Sequence, residues 1–171
     1  MPNRNGGCVT RLDPASLPWE VVNDGVMGGL SRGRVQATDH GVKFDGALSI
    51  ENQGGFSSIR APISGFHRRV AGFRLTVTGD GRRYQFRLRE NDRSSAIAWR
   101  ALFDTSGARQ TIVLEPGDFE PVLRGRRVDS APPLDVARVR LLGFMLTSRQ
   151  PGPFELDVHL IETVAGTPRN D

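Results

Sequence analysis

The sequence has little of what most small-domain chemistries need. Its single cysteine, Cys8, excludes a disulfide framework within the chain, because a bridge takes two thiols. Lysine occurs once, at Lys43, and no Walker A glycine spacing precedes it, so a phosphate-cradling P-loop is excluded. The three histidines, His40, His67 and His159, are scattered and show none of the paired spacings of a zinc site. No apolar run approaches the ~18 residues that span a bilayer. The opening residues lack the apolar stretch of a signal-peptide core, and Cys8 is therefore no lipoprotein cysteine. The expectation is a soluble, cytoplasmic protein. Aromatic residues make up only 7% of the chain, and no window sustains apolar positions at helical spacing.

What is present fits one folded domain. The chain has 171 residues, 37% of them hydrophobic, which is enough for one core. Basic character comes almost wholly from arginine, yet the net charge is only +4 because 19 acids accompany it. The pI near 10.4 thus carries little weight for nucleic-acid binding.

Turn signals recur at short intervals, among them Asp24-Gly25, Asp45-Gly46, Gly54-Gly55, Gly79-Asp80-Gly81, Ser106-Gly107 and Pro151-Gly152. Between them, Phe73, Leu75 and Val77 alternate with polar residues, as do Tyr84, Phe86 and Leu88, and Phe154, Leu156, Val158 and Leu160. Less regular runs at 34–38, 42–44, 48–51, 57–61, 99–103, 111–114 and 141–147 also read as strands, and 134–140 as one turn of helix. Ten or so short strands predict an all-β fold, a β-sandwich or jelly roll. The expected organisation is an N-terminal extension over 1–12, one β-sandwich domain over 13–164 and a flexible tail over 165–171.

Catalytic motifs lack their context. Gly29-Leu30-Ser31-Arg32-Gly33 matches the hydrolase elbow G-x-S-x-G, but that elbow stands between a strand and a helix, and a strand follows here. Gly79-Asp80-Gly81 opens like a dinucleotide fingerprint, with Tyr84 where the third glycine belongs, and reads as a tight turn. No enzymatic activity, cofactor or catalytic residue is expected. A structural calcium held by loop carboxylates and carbonyls has no fixed motif and stays open.

Two polar clusters and one strand face are candidate sites. The first cluster runs from Trp19 through Asn23, Asp24, Met27, Gly28 and Gly29; the second comprises Gly55, Phe56, Ser58 and Arg60. Each reads either as loop closure at a sandwich rim, with Trp19 and Phe56 plugging the core, or as part of one binding site. If Phe86 and Leu88 point inward, Gln85, Arg87 and Arg89 share the opposite face, where Arg60 or Arg74 can join them. Such a face suits carboxylate, phosphate or sugar hydroxyls. It reads equally as a solvated face paired to Glu90, Asp104 or Glu155.

The ordered series Trp19, Asn23-Asp24-Gly25-Val26-Met27-Gly28-Gly29 and Ser31, then Phe44-Asp45-Gly46, Gly54-Gly55-Phe56-Ser57-Ser58-Ile59-Arg60, Gly79-Asp80-Gly81, Leu142-Gly143-Phe144-Met145 and Gly152-Pro153-Phe154, resembles the complex I intermediate-associated protein family, the thirty-kilodalton assembly-factor domain. The resemblance covers Asp13 to about Val164. It implies a galactose-binding-like jelly roll and a non-enzymatic, chaperone-like role in assembling NADH:ubiquinone oxidoreductase through a protein partner, a complex I subunit or assembly intermediate. Without a transit peptide or a fused nucleotide-binding domain, the chain looks like a stand-alone prokaryotic member. Two alternatives stand beside this reading: a module binding carbohydrate or a small anion, with Trp19 or Trp99 as stacking surfaces, and an RNA-binding module.

Overall fold

A computed structural model of the chain describes residues 10–23, 29–91, 93 and 96–166, apart from the side chain of Gln53. The alternating runs become strands: β1 (Arg11–Leu12), β2 (Glu20–Asn23), β3 (Arg32–Thr38), β4 (Gly41–Leu48), β5 (Phe56–Pro62), β6 (Val70–Thr78), β7 (Arg83–Arg89), β8 (Ala98–Asp104), β9 (Arg109–Leu114), β10 (Glu120–Leu123), β11 (Arg126–Arg127), β12 (Leu141–Thr147) and β13 (Gly152–Ala165). They form two antiparallel sheets. The back sheet has the order β3-β4-β13-β6-β9, with β1 also on β13; the front sheet has the order β11-β10-β8-β7-β12-β5-β2. This is the all-β sandwich expected from the alternation.

The core lies between the sheets. Phe44, Phe73, Leu75, Val77 and Leu156 enter it from the back, and Ile59, Tyr84, Phe86, Leu88, Leu142, Phe144 and Leu146 from the front, each no more than 1% exposed. Burying a side chain of this size contributes about 1.5–3 kcal/mol. Phe86 is the hub of the aromatic packing, with ring centroids 5.3 Å from Phe73, 5.4 Å from Phe144 and 6.1 Å from Phe119.

The structure differs from the sequence expectation at several places. Strict alternation puts Leu160 in the core. A register shift between Val158 and Leu160 hands the inward position to Ile161, which is fully buried. The run 48–51 is not a strand: β4 ends at Leu48 and a 3-10 turn covers Glu51–Gln53. The helical turn expected over 134–140 is a 3-10 turn at Val136–Arg138. Arg11 and Leu12 add β1 beside the second half of β13, opposite Glu162 and Ile161.

Candidate functional site

The pairing of β2 with β5 brings the two polar clusters together. Val22 stands opposite Ser58 and Asn23 opposite Ser57. The Ser58 hydroxyl donates to the Val22 carbonyl at 2.7 Å, and the Ser57 hydroxyl donates to Asn23 Oδ1. Gly33 makes room for this contact: a Cβ there would sit 2.1 Å from Ser57 Oγ and 3.0 Å from Asn23 Oδ1. The hydroxyl of Ser31 donates to the Ser49 carbonyl at 3.0 Å and accepts the Ser49 N–H at 2.9 Å, pinning two loops. The G-x-S-x-G spacing is therefore accounted for by close packing at the rim.

The outer face of the front sheet is organised by strand register. One row across it reads Glu20, Arg60, Gly143, Arg87, Arg100 and Glu120, each opposite the next on adjacent strands. The row beside it reads Val22, Ser58, Met145, Gln85 and Leu102. The row on the other side reads Leu141, Arg89, Ala98 and Val122. From these rows Ser58, Arg60, Gly143, Met145, Arg87 and Arg89 line a groove of about 420 Å³, which Arg124 also borders. Gly143 forms its floor and projects no side chain between Arg60 and Arg87. A side chain is excluded there, because a Cβ would lie 2.4 Å from the Ile59 carbonyl oxygen.

The guanidiniums of the central row are held differently. Arg60 Nε pairs with Glu20 Oε2 at 3.2 Å and Arg100 Nε with Glu120 Oε1 at 2.6 Å, so each end of the row carries its own acid. Arg87 Nη1 donates to Gln85 Oε1 at 2.7 Å, and Gln85 Nε2 in turn donates to Thr147 Oγ1 at 3.2 Å. Among the described residues no carboxylate lies within 4.0 Å of Arg87. Burial first, then Arg89 and Arg100, pull the Arg87 pKa down to about 10, which still leaves it charged at neutral pH. Arg89 donates to the Arg93 carbonyl.

Of the residues singled out from sequence, Phe56, Ser58, Arg60, Arg87 and Arg89 line this groove, with Gln85 beneath Arg87. Trp19 lies off it: its ring centroid is 6.1 Å from Phe144, and its Nε1–H donates to the Pro14 carbonyl at 2.8 Å. Asn23 ends β2, Gly55 directly precedes β5, and Gly29 is buried. Asp24, Met27 and Gly28 fall outside the described residues. Arg74 does not share the face. It stands on β6 of the back sheet, 4.0 Å from Glu162, because the two sheets were indistinguishable from alternation alone. Nor do the expected acids neutralise the groove: Glu155 pairs with Lys43 on the back sheet, Asp104 with Arg83, and Glu90 with Arg138.

Sequence reasoning missed Arg100 and Glu120, and it did not place Glu20, within the first cluster, or Gly143, within the family series, on this face. Arg100 was reachable from the hairpin of β7 and β8, which places it opposite Arg87. The two glutamates lie on β2 and β10, short strands with no clear alternation.

A family model described as complex I intermediate-associated protein 30 matches residues 11–158. The chain belongs to the complex I intermediate-associated protein 30 family. No curated protein matches the sequence. Among solved structures, the chain is similar to a family 11 carbohydrate-binding module of the cellulosomal cellulase Lic26A-Cel5E of Clostridium thermocellum, with TM-score 0.69 and 14% identity over 95% of this chain and 98% of that one. The same type of module in complex with a β-1,3-1,4-mixed-linked tetrasaccharide gives TM-score 0.68 at 14% identity, covering 94% of this chain and 98% of that one. The xylan-binding module CBM15 gives 0.58 at 13%, over 96% and 100%. At such identities the likeness is one of fold, and it places this member of the family among jelly-roll, galactose-binding-like sandwiches. No helix among the described residues is long and apolar enough to cross a membrane.

Proposed function

We propose that this protein is a non-catalytic binding module that assists assembly of NADH:ubiquinone oxidoreductase by holding a protein partner on the outer face of its front sheet. The family match supports the process, and the groove centred on Arg87 supports the surface. A part-buried guanidinium facing a groove with no carboxylate within 4.0 Å of it among the described residues is poorly explained by stability, since desolvating an unpaired charge is unfavourable.

The two alternatives find less support in the geometry. Sugar recognition on a sheet face commonly uses exposed aromatic platforms, and here Trp19 and Trp99 pack against the core from its edges. RNA binding calls for a contiguous basic surface. The arginines are instead interleaved with acids on both sheets, as in Arg34 with Asp45 and Arg83 with Asp104.

The test is affinity capture with the full chain in its native host, read for complex I subunits, beside native-gel quantification of complex I in a deletion strain. Capture of respiratory subunits with a loss of assembled complex is expected. Normal complex I in the deletion strain, with no respiratory subunit captured, would overturn the proposal.

A further inference from the structure

We infer that the groove is a receptor for a single carboxylate, carried by a Glu or Asp side chain in an otherwise apolar, extended segment of the partner protein, with Arg87 as the residue that receives it. The inference rests on the binding role proposed above and specifies its chemistry. Arg60 and Arg87 flank Gly143 on neighbouring strands, two strand spacings apart, roughly 9–10 Å. Gly143 carries no side chain, so nothing projects from β12 between Arg60 and Arg87 in the groove that all three line. Gln85, held by Thr147, occupies one edge of the Arg87 fork and orients it, as a bidentate carboxylate contact requires.

The surroundings select the kind of anion. Glu20 and Glu120 close both ends of the row, so a polyanion lying along it meets two negative charges, whereas one carboxylate at the centre meets only guanidiniums. Beside Arg87, the half-buried Met145 and Leu141 offer aliphatic surface that a small free anion leaves uncovered and that apolar residues of a peptide cover. The charge and the apolar floor together match an acidic residue set among hydrophobic ones.

Paired libraries of capped peptides, one with a single Glu among apolar residues and one with Gln in its place, are titrated against the full-length protein by calorimetry. Inorganic phosphate and oligogalacturonate serve as comparison probes. The Glu library is expected to bind at least about tenfold more tightly than the Gln library, since a hydrogen bond to a charged group is being removed. Arg87→Met is expected to abolish that difference while remaining folded by circular dichroism. Arg87→Lys, which keeps the charge and loses the fork, is expected to fall between, and guards against a variant that fails to fold.

Equal binding of the two libraries, an unchanged preference in Arg87→Met, or phosphate or oligogalacturonate binding as tightly as the Glu library would each overturn the inference. Its failure is separable from that of the assembly role. If the host captures complex I subunits equally with wild type and Arg87→Met, the receptor is wrong and the role stands. If the deletion strain assembles complex I normally while the Glu preference persists, the role is wrong and the receptor stands.

Discussion

Arg87 on β7 stands directly opposite Arg100 on β8, two like charges at one cross-strand position. Like charges so placed destabilise a sheet. Glu120 compensates Arg100 at 2.6 Å, whereas Arg87 donates to the neutral oxygen of Gln85 at 2.7 Å and has no carboxylate within 4.0 Å among the described residues. Replacing Arg87 by Met, which keeps the aliphatic length, is therefore expected to stabilise the protein by about 1 kcal/mol in urea unfolding while weakening partner binding. A loss of stability would show that the guanidinium serves the fold.

Tyr84 and Asp80 form a second informative pair. The fully buried Tyr84 donates its hydroxyl to Asp80 Oδ2 at 3.0 Å, and the same oxygen accepts the Glu155 N–H at 2.8 Å. Tyr84→Phe removes one bond and leaves Asp80 partnered, with an expected cost of about 1 kcal/mol; Asp80→Ala takes the acceptor from three donors, the Arg82 N–H being the third, and is expected to cost about 2–3 kcal/mol. Denaturant unfolding of the two variants checks this order.

The same tyrosine offers a pH signature. Burial first, then the Asp80 charge, push its phenol above its ordinary value of 10.0. In the unfolded chain the phenol ionises near that value, and in the folded chain it stays protonated. Its contribution to stability is thus present below pH 10 and lost as pH rises beyond it. Because this is the chain's one tyrosine, ultraviolet titration reports it without interference. Phenolate absorbance is expected only with alkaline unfolding, and Tyr84→Phe should flatten the alkaline fall in stability.

Two aspartates should respond to acid in opposite senses. Asp104, beside Arg83, has its pKa lowered chiefly by the hydrogen bond from that guanidinium, so its stabilisation is present at neutral pH and lost on acidification. Asp157 is raised, chiefly by burial, which outweighs the attraction of Lys43; its protonation favours the folded state as pH falls. Asp157→Asn is therefore expected to raise the melting temperature at neutral pH and Asp104→Asn to lower it slightly, both differences shrinking in acid.

The groove floor can be tested by adding one carbon. Gly143→Ala places a Cβ against the Ile59 carbonyl and is expected to cost about 2 kcal/mol, whereas Gly117→Ala meets nothing within 4 Å and is expected to stay within about 0.5 kcal/mol of wild type. Thermal unfolding of the two variants decides whether the missing side chain at Gly143 is a packing requirement.

Alternation along each strand is a local property with a period of two residues, and the sequence by itself determined what that period governs. It assigned Tyr84, Phe86 and Leu88 to the core and Gln85, Arg87 and Arg89 to the other face, and with the turn signals it determined an all-β sandwich. Strand order is not local. Arg60 and Arg87 are joined by β12, which is far from both in the chain, and which strands become neighbours is decided by how both inner faces pack together. Only the tertiary structure could send Arg74 to the back sheet, set Gly143 between Arg60 and Arg87, close the row with Glu20 and Glu120, and shift β13 so that Ile161 fills the core. The arginine excess visible in the composition thus resolves, through strand pairing, into a groove where Arg60 pairs with Glu20 and Arg87 has no carboxylate within 4.0 Å among the described residues.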